Sequence, residues 1–133
     1  MRPSELATSL FERYQNEGVE SALQVVSPDA VLVVGPETSA EPDTYEGPGG
    51  AKRYFDGFEG ALDEVRFELL EIHDESPSTV ICSVRLSGLG EMTRIPVEQT
   101  VLMTFAIRDG LITRIVAHAD LESAQAEFSS SPG

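Results

Sequence analysis

The stretch "RDGLITRIVAHAD", Arg108 to Asp120, decides how this chain is read. Arg108-Asp109-Gly110 has the composition of a hairpin turn, with Gly110 supplying a positive φ. Leu111 to Ala119 then reads as a strand, with Ile115, Ala117 and Ala119 on one face and Arg114, Val116 and His118 on the other. Asp120 stands directly before "LESAQAEF", a short helix whose first-turn amides an aspartate can cap. His118 and Asp120 also stand two residues apart, as an acid–base pair could. The strand parity favours an outward His118, and the following helix favours capping by Asp120.

Working back from the turn, Pro96 to Ile107 is a long strand, preceded by the Gly-containing loop "SGLGEMTR". Val80, Cys82, Val84 and Leu86 alternate along another strand, and Val65, Phe67 and Leu69 head one more, with "HDESPS" as the turn between them. These are four strands in antiparallel succession. Their short connections leave no room for the parallel crossovers of a doubly wound sheet.

The first half of the chain has helical periods. Leu6, Ala7, Leu10, Phe11 and Tyr14 recur every three or four residues behind Ser4, a candidate N-cap. Val19, Ala22, Leu23 and Val26 mark a short second helix ending before Ser27-Pro28. "AVLVVG" is a β-branched strand, and "PETSAEPDTYEGPGG" reads as a polar loop. Ala51, Tyr54, Phe55, Phe58 and Leu62 give a third helix with aromatics on one side. The expectation is an α+β domain over residues 1–128, a curved antiparallel sheet wrapped over helices, with a frayed tail at 129–133.

The chain has 133 residues, 41% of them hydrophobic, which suits one core. Nine basic against 23 acidic residues give a net charge of −14. That surface repels phosphate backbones, so nucleic acid is not an expected partner. Cys82, the lone cysteine, allows no intramolecular disulfide and sits in an apolar strand, as a buried small residue does. No leader pattern and no run of roughly 20 apolar residues is present, so the expectation is a cytoplasmic protein without a membrane span.

Tyr45-x-Gly47 ahead of the third helix, Arg108-Asp109-Gly110-x-Ile112 and Asp120 before the last helix together resemble the SnoaL-like branch of the nuclear transport factor 2-like superfamily. The resemblance runs from about Leu6 to Phe128. It implies a cone-shaped α+β barrel with an apolar cavity at its wide end, commonly a homodimer through the outer sheet face, and cofactor-free chemistry where there is chemistry. Relatives include ketosteroid isomerases, epoxide hydrolases and polyketide cyclases.

On that resemblance the isomerase tyrosine falls on Tyr14. Its base falls on Val33 or Val34 and its second acid near Leu102, so a tyrosine stands without a base. The hydrolase carboxylates fall near Val84, Leu86 and Ala117, and Arg85 points to the opposite face. For a cyclase, Asp29, Glu98 and Asp120 are the carboxylates near the sheet, none matching the cyclase acid. The weak catalytic candidates are therefore His118, Asp120 and Glu98, and His73 reads as a solvated turn residue.

"EGPGG" lacks the Lys-Ser/Thr of a phosphate loop, and no Cys/His pair has metal-ligand spacing. The expected pocket lining is Phe11, Tyr14, Phe58, Val84, Leu86, Gln99, Val101, Met103, Ala117 and Ala119, with Tyr14 and Gln99 as its polar groups. The expected activity is binding of a small hydrophobic molecule, with isomerisation, cyclisation or hydrolysis as further options. The alternative is a non-catalytic ligand-binding or homodimeric interaction domain.

Overall fold

The structure is a computed structural model describing residues 2–34, 43–118 and 120–130. Helices α1 (Pro3–Glu17) and α2 (Val19–Ala22) are followed by a 3₁₀ turn (Leu23–Val25) and strand β1 (Val26–Val34). Strand β2 (Asp43–Glu46) runs straight into helix α3 (Gly47–Glu59). Strands β3 (Leu62–Glu75), β4 (Thr79–Gly90), β5 (Pro96–Arg108) and β6 (Leu111–His118) follow, and helix α4 (Leu121–Ser130) closes the chain.

The strands form one curved sheet in the order β2-β1-β6-β5-β4-β3. The β3–β4, β4–β5 and β5–β6 pairs are antiparallel, as the short turns require. The expectation of a wholly antiparallel sheet needs correction at β1, which runs parallel to β6. Local turn signals cannot reveal that pairing, because α3 and four strands separate the partners in sequence. The β5–β6 turn has both Asp109 (φ 54°) and Gly110 (φ 77°) in the left-handed region, the geometry that matches strand twist.

Three further boundaries differ. "EGPGG" is not loop: Gly47 already begins α3, with Pro in its first turn, where a missing N–H costs nothing. A Cβ on Gly50 would lie 2.9 Å from the Tyr45 carbonyl carbon, so glycine lets α3 sit tightly against β2. Ser4 is not the cap of α1, which starts one residue earlier, at Pro3. The Ser4 amide instead donates to Glu75 Oε2 at 2.9 Å, from the far end of β3. The strand β3 also runs through "HDE", placing His73 on the sheet with Nε2 3.2 Å from Ser83 Oγ.

Register fixes which side chains face inward. Val80, Phe105, Ile115 and Leu32 form one cross-strand row, and Cys82, Met103, Ala117 and Val34 the next. Val84 pairs with Val101, and Phe67, Leu86 and Gln99 align beyond them. Helix α1 lies against this inner face through Leu6, Leu10, Phe11 and Tyr14, and α3 through Phe55. Phe67 is the hub: Phe11 stacks on it at 5.6 Å, while Tyr14, Phe55 and Phe58 meet it edge-on at 5.3–5.5 Å. Each such pair adds about 0.5–1.5 kcal/mol beyond the area it buries.

The outer face carries Ile81, Thr104 and Val116 in one row and Ser83, Leu102 and His118 in the next. Ile81 and Thr104 are buried, yet outside the inner core. Among the described elements it is α4 that covers them, contacting β4, β5 and β6 and burying Ala124 completely. No described helix is long and apolar enough to cross a membrane.

Candidate functional site

Six strand residues of the inner face, Val84, Leu86, Gln99, Val101, Met103 and Ala117, surround a small cavity. Their shared face follows from period-two alternation within three neighbouring strands. Tyr54 and Phe58 close the cavity from α3, where four-residue spacing puts both rings on one side, 5.0 Å apart and edge to face. Phe67 forms the remaining wall. Seven of the ten residues expected to line a pocket, Phe58 among them, thus meet around one space.

Three do not. Phe11 and Tyr14 lie behind Phe67, whose ring separates them from the cavity. Both point inward, as their helical spacing requires, but the inner face is shared between core and cavity, and α1 covers the core part. Ala119 lies outside the described residues. Tyr54 and Phe67 were not anticipated as lining. Tyr54 was detectable, since it stands one helical turn before Phe58 on the same face. Phe67 had only its alternation within β3 as a signal.

The cavity volume is about 10 Å³, room for roughly one water centre. Ligand sites of drug-sized molecules run to about 300 Å³ and more. The aromatic rings therefore fill most of the space that the curved sheet leaves. Two polar side chains reach the lining, Tyr54 and Gln99. Burial first, and the neighbouring Tyr45 second, hold the Tyr54 hydroxyl well above the ordinary phenol range, so it is a neutral donor at physiological pH. Among the described residues no carboxylate, imidazole, thiol, ammonium or guanidinium lines the cavity.

The three weak catalytic candidates sit elsewhere. His118 is on the outer face and buried, with Nε2 3.1 Å from Thr104 Oγ1. Asp120 caps α4: its Oδ1 accepts from the Ser123 amide at 2.8 Å, and that hydrogen bond keeps its carboxyl below the usual aspartate range. Glu98 pairs with Ser87 on the outward parity and is exposed. Asp29, the remaining cyclase possibility, is exposed at an irregularity of β1, where its amide donates to Ser27 Oγ.

Tyr14, at the isomerase position, has a buried hydroxyl without a well-formed hydrogen bond. Burial first, then the nearby charge of Glu59, raises its pKa, away from any acid role. Cys82 is buried next to Met103, and burial pushes its thiol up to about 12, so it is inert. Among the described residues no three His, Cys, Asp or Glu side chains converge as metal ligands would.

The sequence profile described as the SnoaL-like domain matches residues 7–115. Among curated protein sequences none matches this chain. Several solved structures share its fold. A nuclear transport factor 2-like protein of Burkholderia thailandensis superposes with a TM-score of 0.76 at 18% identity, over 94% of this chain and 98% of that one. A Mycobacterium tuberculosis protein in complex with estradiol-17beta-hemisuccinate gives 0.74 at 18% identity, over 92% and 97%. A Catenulispora acidiphila protein of ketosteroid isomerase-like fold, in complex with trimethylamine, gives 0.73 at 13% identity, over 95% and 92%.

Proposed function

This chain belongs to the SnoaL-like domain family, and from that premise we propose that it binds a small, largely apolar molecule in the cavity between α3 and strands β4 to β6. The observation that carries this reading is convergence. Side chains from five elements meet around one apolar space, with two hydrogen-bonding groups, Tyr54 and Gln99, to orient an occupant. Two structural neighbours of this fold hold small molecules, which supports the same reading.

Binding rather than catalysis is the form this function takes. Isomerisation, cyclisation and hydrolysis without a cofactor each need a proton acceptor within hydrogen-bond reach of the reacting atom. Among the described residues the lining offers neither carboxylate nor imidazole, and the Tyr54 phenol is held in its neutral form. A homodimer through the outer sheet face has less support. Helix α4 occupies the β4–β6 part of that face, and the open strip beside it carries the Glu68–Arg85 ion pair.

Solvent extraction of the purified protein followed by mass spectrometry is expected to release a neutral, mostly apolar compound. Met103→Trp, which would fill the cavity, is expected to lose that compound while keeping its circular dichroism. Full retention of the compound by a folded Met103→Trp protein would place the ligand elsewhere and overturn the reading.

A further inference from the structure

We propose that Phe58 is a removable plug, carried on the weakly held last turn of α3, and that the occupant which displaces it is a compact, neutral ring compound. The proposal rests on the cavity reading above and says how that cavity opens and what size of molecule it admits.

With about 10 Å³ free, the cavity cannot take even a single ring unless part of its wall moves. Most of the wall is fixed. Val84 and Met103 are buried in ladders paired on both sides, and Phe67 is wedged among four other rings. Phe58 differs from these three: it is partly buried, and its ring rests edge-on against Tyr54 and Phe67. Of the partly buried lining residues Tyr54, Phe58 and Val101, it is the one on the last turn of its helix.

The backbone beneath Phe58 is closed by hydrogen bonds from the Gly60 amide to the Asp56 carbonyl (2.9 Å) and from the Ala61 amide to the Phe58 carbonyl (3.1 Å), but it has little packing around it. It lies in "GFEG", where Gly57, Glu59 and Gly60 are all exposed. A Cβ on Gly57 would meet nothing within 4 Å, so packing does not call for glycine there, and glycine weakens a helix turn. Glu59 adds negative charge at the negative end of the helix, and the last turn contains no basic residue to offset it. The other half of α3 is held by buried Ala51 and Phe55 and by the tight Gly50–Tyr45 approach. Opening therefore loosens one turn and swings one ring outward.

The departing ring defines what enters. The vacated space is about the size of a phenyl group, bounded by the edge of Phe67 and the Met103 thioether, both good partners for an aromatic face. Among the described residues no charged side chain lines it, so an ionic ligand would lose its hydration without compensation.

The test is ¹⁹F NMR titration of the full chain with fluorobenzene, folding being checked by circular dichroism. Phe58→Ala is expected to bind at least about 10-fold more tightly than the parent chain, because the plug no longer competes. Phe58→Leu, a milder change in case the alanine variant does not fold, is expected to fall between them. Gly57→Ala, which stabilises the closed turn, is expected to weaken binding by about fivefold. Equal affinity for the parent chain and a folded Phe58 variant overturns the plug, and unchanged affinity in Gly57→Ala overturns opening through the last turn. Binding of 4-fluorobenzoate as tight as that of fluorobenzene overturns the neutral class. Failure of every folded variant to bind fluorobenzene sinks the cavity reading itself.

Discussion

Glu75 shows how one carboxylate can join distant parts of the chain. Its Oε2 accepts the Ser4 amide at 2.9 Å and its Oε1 the Arg2 guanidinium at 2.6 Å, so the end of β3 caps the start of α1. Burial alone would raise its pKa. The hydrogen bonds from Ser4, and then Arg2, outweigh that effect and hold it below the ordinary value of 4.5. Arg2 is 72% exposed, so its ion pair contributes little and the amide cap carries the effect. Glu75→Ala is expected to lower stability by about 1 kcal/mol at pH 7, measured by urea denaturation. Because the folded pKa is depressed, this contribution is present above the unfolded value and is lost as pH falls through the folded one. The gap between variant and parent therefore closes on acidification below 4.5; a gap constant down to pH 2 would contradict the cap.

At the scale of elements, the sheet is covered on both faces where β4, β5 and β6 run side by side. Ile81 on the outer side and Cys82 on the inner side are both fully buried, although they are neighbours in β4. Helix α4 makes this possible, docked through Ala124 and started by the Asp120 cap. A charge at the docking point, where Ala124 is completely buried, would be desolvated. Ala124→Asp is therefore expected to destabilise the fold by about 2 kcal/mol or more, read from the urea midpoint. Unaltered stability would mean that α4 does not seal that face. The exposed edge of the sheet is managed differently. Strand β3 has three register irregularities against β4, and the Gln15 side chain accepts the Phe67 amide, so it offers no regular template for another strand.

For the whole molecule, a net charge of −14 on 133 residues sets the electrostatic background. Basic residues are engaged locally, as in Lys52–Asp56 and Arg94–Asp63, but they are too few to balance the acids. Compaction therefore works against self-repulsion that salt screens. Raising NaCl from about 20 to about 200 mM is expected to increase the melting temperature by a few degrees. A melting temperature that falls over this range would show that ion pairs outweigh the repulsion. The same field discourages anionic ligands, in keeping with a neutral occupant for the cavity.

Alternation and turn chemistry are properties of neighbouring residues, so the sequence by itself determined β3 to β6, their antiparallel succession and the face that Val84, Leu86, Val101, Met103 and Ala117 share. Helical spacing likewise determined the buried stripe of α1, and the residue after a strand determined the role of Asp120. What lies across space was decided only by the tertiary structure. The parallel pairing of β1 with β6 and the capping of Ser4 by Glu75 both depend on segments far apart in the chain. So does the division of one inward face into core and cavity: Phe67 stands between them, with Phe11 and Tyr14 on one side and Phe58 on the other. Local periodicity says which way a side chain points; only the packed fold says what already stands there.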